Sequence, residues 1–210
     1  MDFAYWAVFL SAALALNLSP GPDLIFILSR TFANGKTVGI ASSAGVCTGA
    51  LVHVSAAALG LSAILATSVT AFTIVKYIGA AYLVYLGIKN LRCPQASLRL
   101  PAESTEQLSP WQAFKQGMLI DILNPKVAIF FMAFLPQFIR PEIAAVPVQL
   151  AGLGILVILI GFPIECLFVL LAAKITRALQ NNSAVGPWLE RLFSSILIGL
   201  GVKLALYEKP

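Results

Sequence analysis

Charge is what this chain has least of. Only 11% of its 210 residues are Asp, Glu, Lys or Arg, while 59% are hydrophobic. An ordinary soluble domain carries roughly 25% charged residues, so a water-soluble globular fold is excluded. Histidine occurs once, at position 53, and no His-Glu-x-x-His pattern is present. This argues against reading Asp23, His53 and Glu165 as the metal or acid–base centre of a membrane-embedded enzyme. The three cysteines, Cys47, Cys93 and Cys166, are odd in number and form no close pair. They suggest neither a disulfide framework, nor a metal site, nor a thiol-electron carrier. Cysteines within apolar runs behave as small hydrophobes. The 14 Lys and Arg residues against 9 Asp and Glu give a pI near 9.3. They are scattered rather than gathered on a stripe, which excludes nucleic acid as a partner. No cofactor is required, and the chain is not expected to be an enzyme.

Long apolar runs fill nearly all of the sequence. The hydrocarbon core of a bilayer, about 30 Å thick, requires about 20 helical residues. Six segments meet or approach that length: Phe3 to Phe32 with an interruption, Val38 to Thr67, Phe72 to Leu91, Ala113 to Phe138 with an interruption, Val146 to Ala173 and Val185 to Leu206. The first has Asp2 in place of a basic n-region and no A-x-A-like site before a soluble domain, so it reads as a retained helix rather than a signal. The expected fold is an all-α membrane protein of six transmembrane helices forming one domain over residues 1–210.

Six spans put the loops after helices one, three and five on one side. They or their flanks hold Arg30, Lys36, Lys89, Arg92, Arg99, Lys115, Lys174, Arg177 and Arg191, against Lys76, Arg140, Lys203 and Lys209 on the other. Basic residues stay in the cytoplasm, so the nine-to-four split places both termini outside it. The stretch 92–112, with Pro94, Pro101 and Pro110, reads as a cytoplasmic linker between halves of about 1–91 and 113–210. Three spans per half force the second half to insert upside down relative to the first, the inverted-repeat plan of many transporters.

Each half carries a break in its first span. Leu18-Ser19-Pro20-Gly21-Pro22-Asp23 lies in one and Leu123-Asn124-Pro125-Lys126 in the other; Pro20 and Pro125 are 105 residues apart, half the chain. Proline removes a backbone donor and obstructs the carbonyl one turn earlier, and glycine between prolines weakens the helix further. In hydrocarbon the freed groups are tolerated only where protein or a water-filled cavity serves them. Two facing breaks would make such a cavity. Amides of the half-helices starting near Asp23 and Lys126 could hold a carboxylate, and carbonyls from Leu16 to Ser19 could accept an ammonium. An amino acid offers both groups. The plainer reading is a pair of structural kinks.

Ionisable groups at membrane depth cost a few kcal/mol and need a reason. Asp23 follows the first break, where it can serve as an N-cap or as a pathway or proton group. Asp121 and Lys126 flank the second and can form an ion pair across the unwound turn; Lys126 can equally neutralise Asp23 or bind a substrate carboxylate. Glu165 follows Pro163, which suggests a distorted helix beside a buried carboxylate. Asp23, Asp121 and Glu165 are the candidate proton carriers. His53 reads as a packing residue donating to a neighbouring helix. Gly45-Val46-Cys47-Thr48-Gly49 permits close helix approach, within the bundle or along a homodimer seam. Tyr77, Tyr82 and Tyr85 read as packing or interface aromatics.

Ser19-Pro20-Gly21-Pro22-Asp23, Asn124-Pro125-Lys126 and Phe134-Leu135-Pro136-Gln137-Phe138 occur together in one 210-residue chain. In this it resembles the LysE/RhtB family of amino-acid exporters over essentially its full length. The resemblance implies a multi-pass protein of the bacterial cytoplasmic (inner) membrane that expels amino acids such as homoserine, threonine, leucine or basic amino acids by proton-driven exchange. Ser19, Pro20, Gly21, Pro22, Asn124, Pro125 and Lys126 would then line the pathway. The alternative is export of a cation or another small metabolite on the same scaffold.

Overall fold

The computed structural model describes residues 3–61, 69–92, 107–181 and 185–206, and regular structure among them is entirely helical. Most of the expected linker, with Cys93, lies outside the described residues, as do residues 62–68, which hold the end of the expected second span, and residues 182–184.

Helix α1, Phe3–Leu18, ends where Pro20 and Pro22, on either side of Gly21, remove two helical donors, and α2 runs from Pro22 to Asn34. Proline is well suited to that first helical position, where its missing N–H costs nothing. A tight turn at Gly35 joins α2 to α3: its φ of +87° suits glycine, and its N–H donates to the Thr31 carbonyl at 2.9 Å. Helix α3, Lys36–Ala56, continues into a π-turn, Ala57–Leu61, and α4 spans Val69–Arg92.

Helix α5, Pro110–Ile122, opens with a reciprocal cap in which Ser109 Oγ accepts from the Gln112 amide and Gln112 Oε1 accepts from the Ser109 amide. After Asn124 the chain re-enters helix as α6, Pro125–Ile129, which passes through a π-turn, Phe130–Phe134, and a 3-10 turn, Leu135–Phe138. Helices α7, Val146–Asn181, and α8, Val185–Leu206, complete the described residues.

Both expected breaks are present, bending the chain by 48° between α1 and α2 and by 49° between α5 and the α6 segment. Residues 36–60 and 146–172 form helices long and apolar enough to cross a bilayer, and each bent pair passes the same test only when its two helices are taken together, as a broken span or a re-entrant loop. The outer face of α7 presents Ile155, Leu159, Leu167 and Leu170 rather than charge. Such a face suits hydrocarbon, not water.

Pro163 does not interrupt α7, which runs as one helix from Val146 to Asn181. A single proline removes one backbone bond, and the bonds on either side hold the helix together; the Ser-Pro-Gly-Pro sequence of the first break removes two donors and adds a glycine.

Helix α3 packs on α5 and α7, α7 also lies along α1 and α2, and α4 pairs with α8. The α3–α5 contact is nearly backbone to backbone. A Cβ at Gly45 would overlap the Phe114 carbonyl, one at Gly49 would sit 2.6 Å from the Met118 carbonyl oxygen, and one at Gly117 would overlap the Ser42 carbonyl. The small-x-x-x-small pattern is thus used within the bundle. The largest apolar core gathers Phe9, Phe130, Phe131, Phe134, Leu135 and Leu150, all fully buried. Tyr5 donates to the Phe138 carbonyl at 2.8 Å and fixes the end of the 3-10 turn against α1.

Candidate functional site

The two breaks meet. In an unbroken helix the Leu16 carbonyl would accept from the amide of residue 20, but Pro20 has none. Lys126, in the first turn of α6, serves it instead. Its Nζ donates to the Leu16 carbonyl at 3.3 Å and the Ser19 carbonyl at 3.0 Å, and lies 3.3 Å from Asp23 Oδ2. The Lys126 and Asp23 side chains are 6% and 13% exposed, so this ion pair is sheltered from solvent and salt.

The second break follows the same logic. Pro125 deprives the Asp121 carbonyl of its helical donor, and the Asn124 amide and His53 Nε2 take its place, each at 2.9 Å. A carbonyl only accepts, so the His53 ring carries its proton on Nε2. His53 therefore donates to a neighbouring helix, as its setting in the sequence suggests. Asn124 caps α6, its Oδ1 accepting from the Lys126 amide at 3.1 Å. That amide, expected to be open to a carboxylate, is already served.

Lys126 pairs with Asp23 and not, as one sequence reading has it, across the unwound turn with Asp121. The bend carries the first turn of α6 away from the last turn of α5, and the carbonyls that await a donor lie on the first break. Asp23 sits in the first turn of α2 but does not cap it; the N-cap is Gly21, with no side-chain cap bond. Asp121 is 1% exposed, and its Oδ2 has no hydrogen-bond partner, the nearest cationic candidate being His53 Nε2 at 3.9 Å.

Beside the ion pair lies a cavity with about 30 Å³ open to the centre of a water molecule, lined by Asp23, Asp121, Glu165, Asn17 and Cys47 among apolar side chains. That is room for one or two waters. All three carboxylates singled out in the sequence thus face one space. Glu165 Oε2 accepts from Ser43 Oγ at 2.6 Å, and Cys47 Sγ lies 3.7 Å from the same oxygen.

The remaining expected site residues divide. Ser19, Pro20, Gly21 and Asn124 are buried at the breaks, whereas Pro22 and Pro125 are exposed and act through the amides they lack. Sequence reasoning passed over Asn17, Ser43 and Cys47. Asn17 carries a signal, a lone amide three residues before a proline; Ser43 and Cys47 look like any small residue on a packing face.

The family model for LysE-type translocators matches residues 14–208. An uncharacterized membrane protein of Vibrio cholerae is 33% identical over 205 residues, 98% of each chain. The homoserine/homoserine lactone efflux protein of Salmonella typhimurium is 30% identical over 205 residues, again 98% of each. The leucine efflux protein of Salmonella choleraesuis is 28% identical over 205 residues, 97% of this chain and 95% of its own. No solved structure matches the chain. With the family model matched almost from end to end and relatives covered over nearly their whole length, the chain belongs to the LysE-type translocator family.

Proposed function

We propose that the chain exports small neutral amino acids, such as homoserine, threonine or leucine, across the cytoplasmic membrane in exchange for protons, by alternating access. The observation that carries this reading is the Lys126–Asp23 ion pair, 3.3 Å long, joining two proline breaks that also expose the Leu16 and Ser19 carbonyls. Such breaks at membrane depth are where transporters hold polar cargo. Ser19, Pro20, Gly21, Pro22, Asn124, Pro125 and Lys126 form the pathway around them.

On this reading the bent pairs are the first and fourth of six spans, and α3, α4, α7 and α8 are the rest. The packing supports two exchangeable halves. Helix α3 lies on α5 of the other half as α7 lies on α1, while α3 meets α7 and α4 meets α8 across the centre. The halves are inverted, both termini face outward, and rocking of one half against the other opens the midplane site to each side in turn.

Asp121, buried and with one oxygen unserved, is the leading proton carrier, with Asp23 and Glu165 beside the same cavity. A buried carboxyl without a donor is costly as a fixed charge, which suits a group that meets a mobile one.

The test is efflux of a panel of radiolabelled amino acids from proteoliposomes under an imposed proton gradient, comparing the wild type with a Pro20→Ala, Pro125→Ala double variant. Gradient-driven efflux of a few amino acids, lost in the double variant, is expected. Absence of efflux for every amino acid from folded protein would sink the reading and favour a cation as cargo.

A further inference from the structure

Three acceptors converge on Lys126 Nζ: the Leu16 carbonyl at 3.3 Å, the Ser19 carbonyl at 3.0 Å and the Asp23 carboxylate at 3.3 Å. A primary ammonium has three N–H donors, so the cradle is saturated. Nothing in it is particular to lysine, because the α-ammonium of an amino acid carries the same charge and the same three donors. We propose that this cradle is the site of the cargo's α-ammonium and that Lys126 is its tethered competitor. Cargo enters by displacing Nζ, and Nζ returns when cargo leaves, so that Asp23 is never left buried without a cation. The inference rests on the amino-acid reading above.

Two further features fit this role. Gly21 keeps the cradle open: a Cβ there would overlap Asp23 Oδ1 and lie 2.8 Å from Lys126 Nζ. A displaced Lys126 also has somewhere to go, since Asp121 stands on its own break with a buried oxygen that lacks a donor. Because Lys126 belongs to one break and Asp23 to the other, 103 residues away, the exchange of partners unties the two breaks when cargo binds.

A competitor and a ligand give opposite signs when removed. Binding of homoserine, leucine and propylamine to purified protein in detergent is measured by calorimetry for the wild type and Lys126→Met. Lys126→Met is expected to bind propylamine, and the amino acid that the wild type binds, at least tenfold more tightly. Gly21→Ala added to Lys126→Met is expected to abolish that gain. Weaker or unchanged binding in Lys126→Met would overturn the proposal, making Lys126 a carboxylate ligand or a bystander. Where Lys126→Met is not monodisperse, Lys126→Gln carries the same test, because its amide can serve the two carbonyls without neutralising Asp23. If neither protein binds homoserine or leucine, the efflux panel decides the amino-acid reading and propylamine decides the cradle: tighter binding by the variant supports it, and none overturns it.

Discussion

At the scale of single residues, each proline break frees a carbonyl and a side chain from elsewhere in the fold completes it. Lys126 serves Leu16 across the first break, and His53 serves Asp121 at the second. The two repairs differ in charge, and that difference sets their cost. Losing His53 leaves the Asp121 carbonyl still served by the Asn124 amide, whereas losing either member of the Lys126–Asp23 pair strands a buried charge. Breaking such a pair by removing one partner costs about 3–5 kcal/mol, while replacing both with neutral groups is often close to neutral. Asp23→Asn and Lys126→Met should therefore each lower thermal stability in detergent, and the two combined should recover most of the loss. Additive losses in the double variant would mean that the two charges do not depend on each other.

At the scale of elements, the close approach of α3 and α5 sets the geometry of the site, because α5 carries Asp121 at its end and α3 carries Ser43, Cys47 and His53. Gly45 and Gly117 face carbonyls of the opposite helix, so Gly117→Ala has only backbone to push against. Overpacking of this kind typically costs about 1–3 kcal/mol. Gly152→Ala, where no atom lies within 4 Å of the added Cβ, is the matched control and should leave the melting temperature in place. Equal behaviour of the two variants would remove the α3–α5 contact from the account. The breaks themselves were legible in the sequence, since proline lacks its N–H in any environment. So was the small-residue face of α3, because glycine four residues apart marks close approach in either a bundle or a dimer. The partner of Lys126 was not. Asp23 and Asp121 are both plausible by charge, and the choice depends on a 49° bend and on which carbonyls lack donors, neither of which is a local property. Pro163 differs from the two breaks because an isolated proline in a long apolar helix leaves the backbone bonds on either side to carry the helix through.

At the scale of the whole molecule, inverted halves require an odd number of spans in each half. With three, the linker and the two termini lie on opposite sides of the membrane; with two or four, they share a side. The basic residues add a direction, nine of them flanking the loops that would face the cytoplasm and four the other side. Both statements are tested together in a chain whose Cys47, Cys93 and Cys166 are replaced by alanine, carrying either Ser104→Cys in the linker or Glu208→Cys near the C-terminus. Treated with a membrane-impermeant maleimide, intact cells should label the Glu208→Cys variant, and the Ser104→Cys variant should label only after permeabilisation. The reverse pattern would keep the inverted halves and turn the molecule over, exchanging the entry and exit sides of the path through Asp23 and Lys126. Labelling of both from the same side would give the second half an even number of spans. It would then not be a three-span inverted copy of the first, and the likeness of the two bends, 48° and 49°, would no longer follow from an inverted repeat.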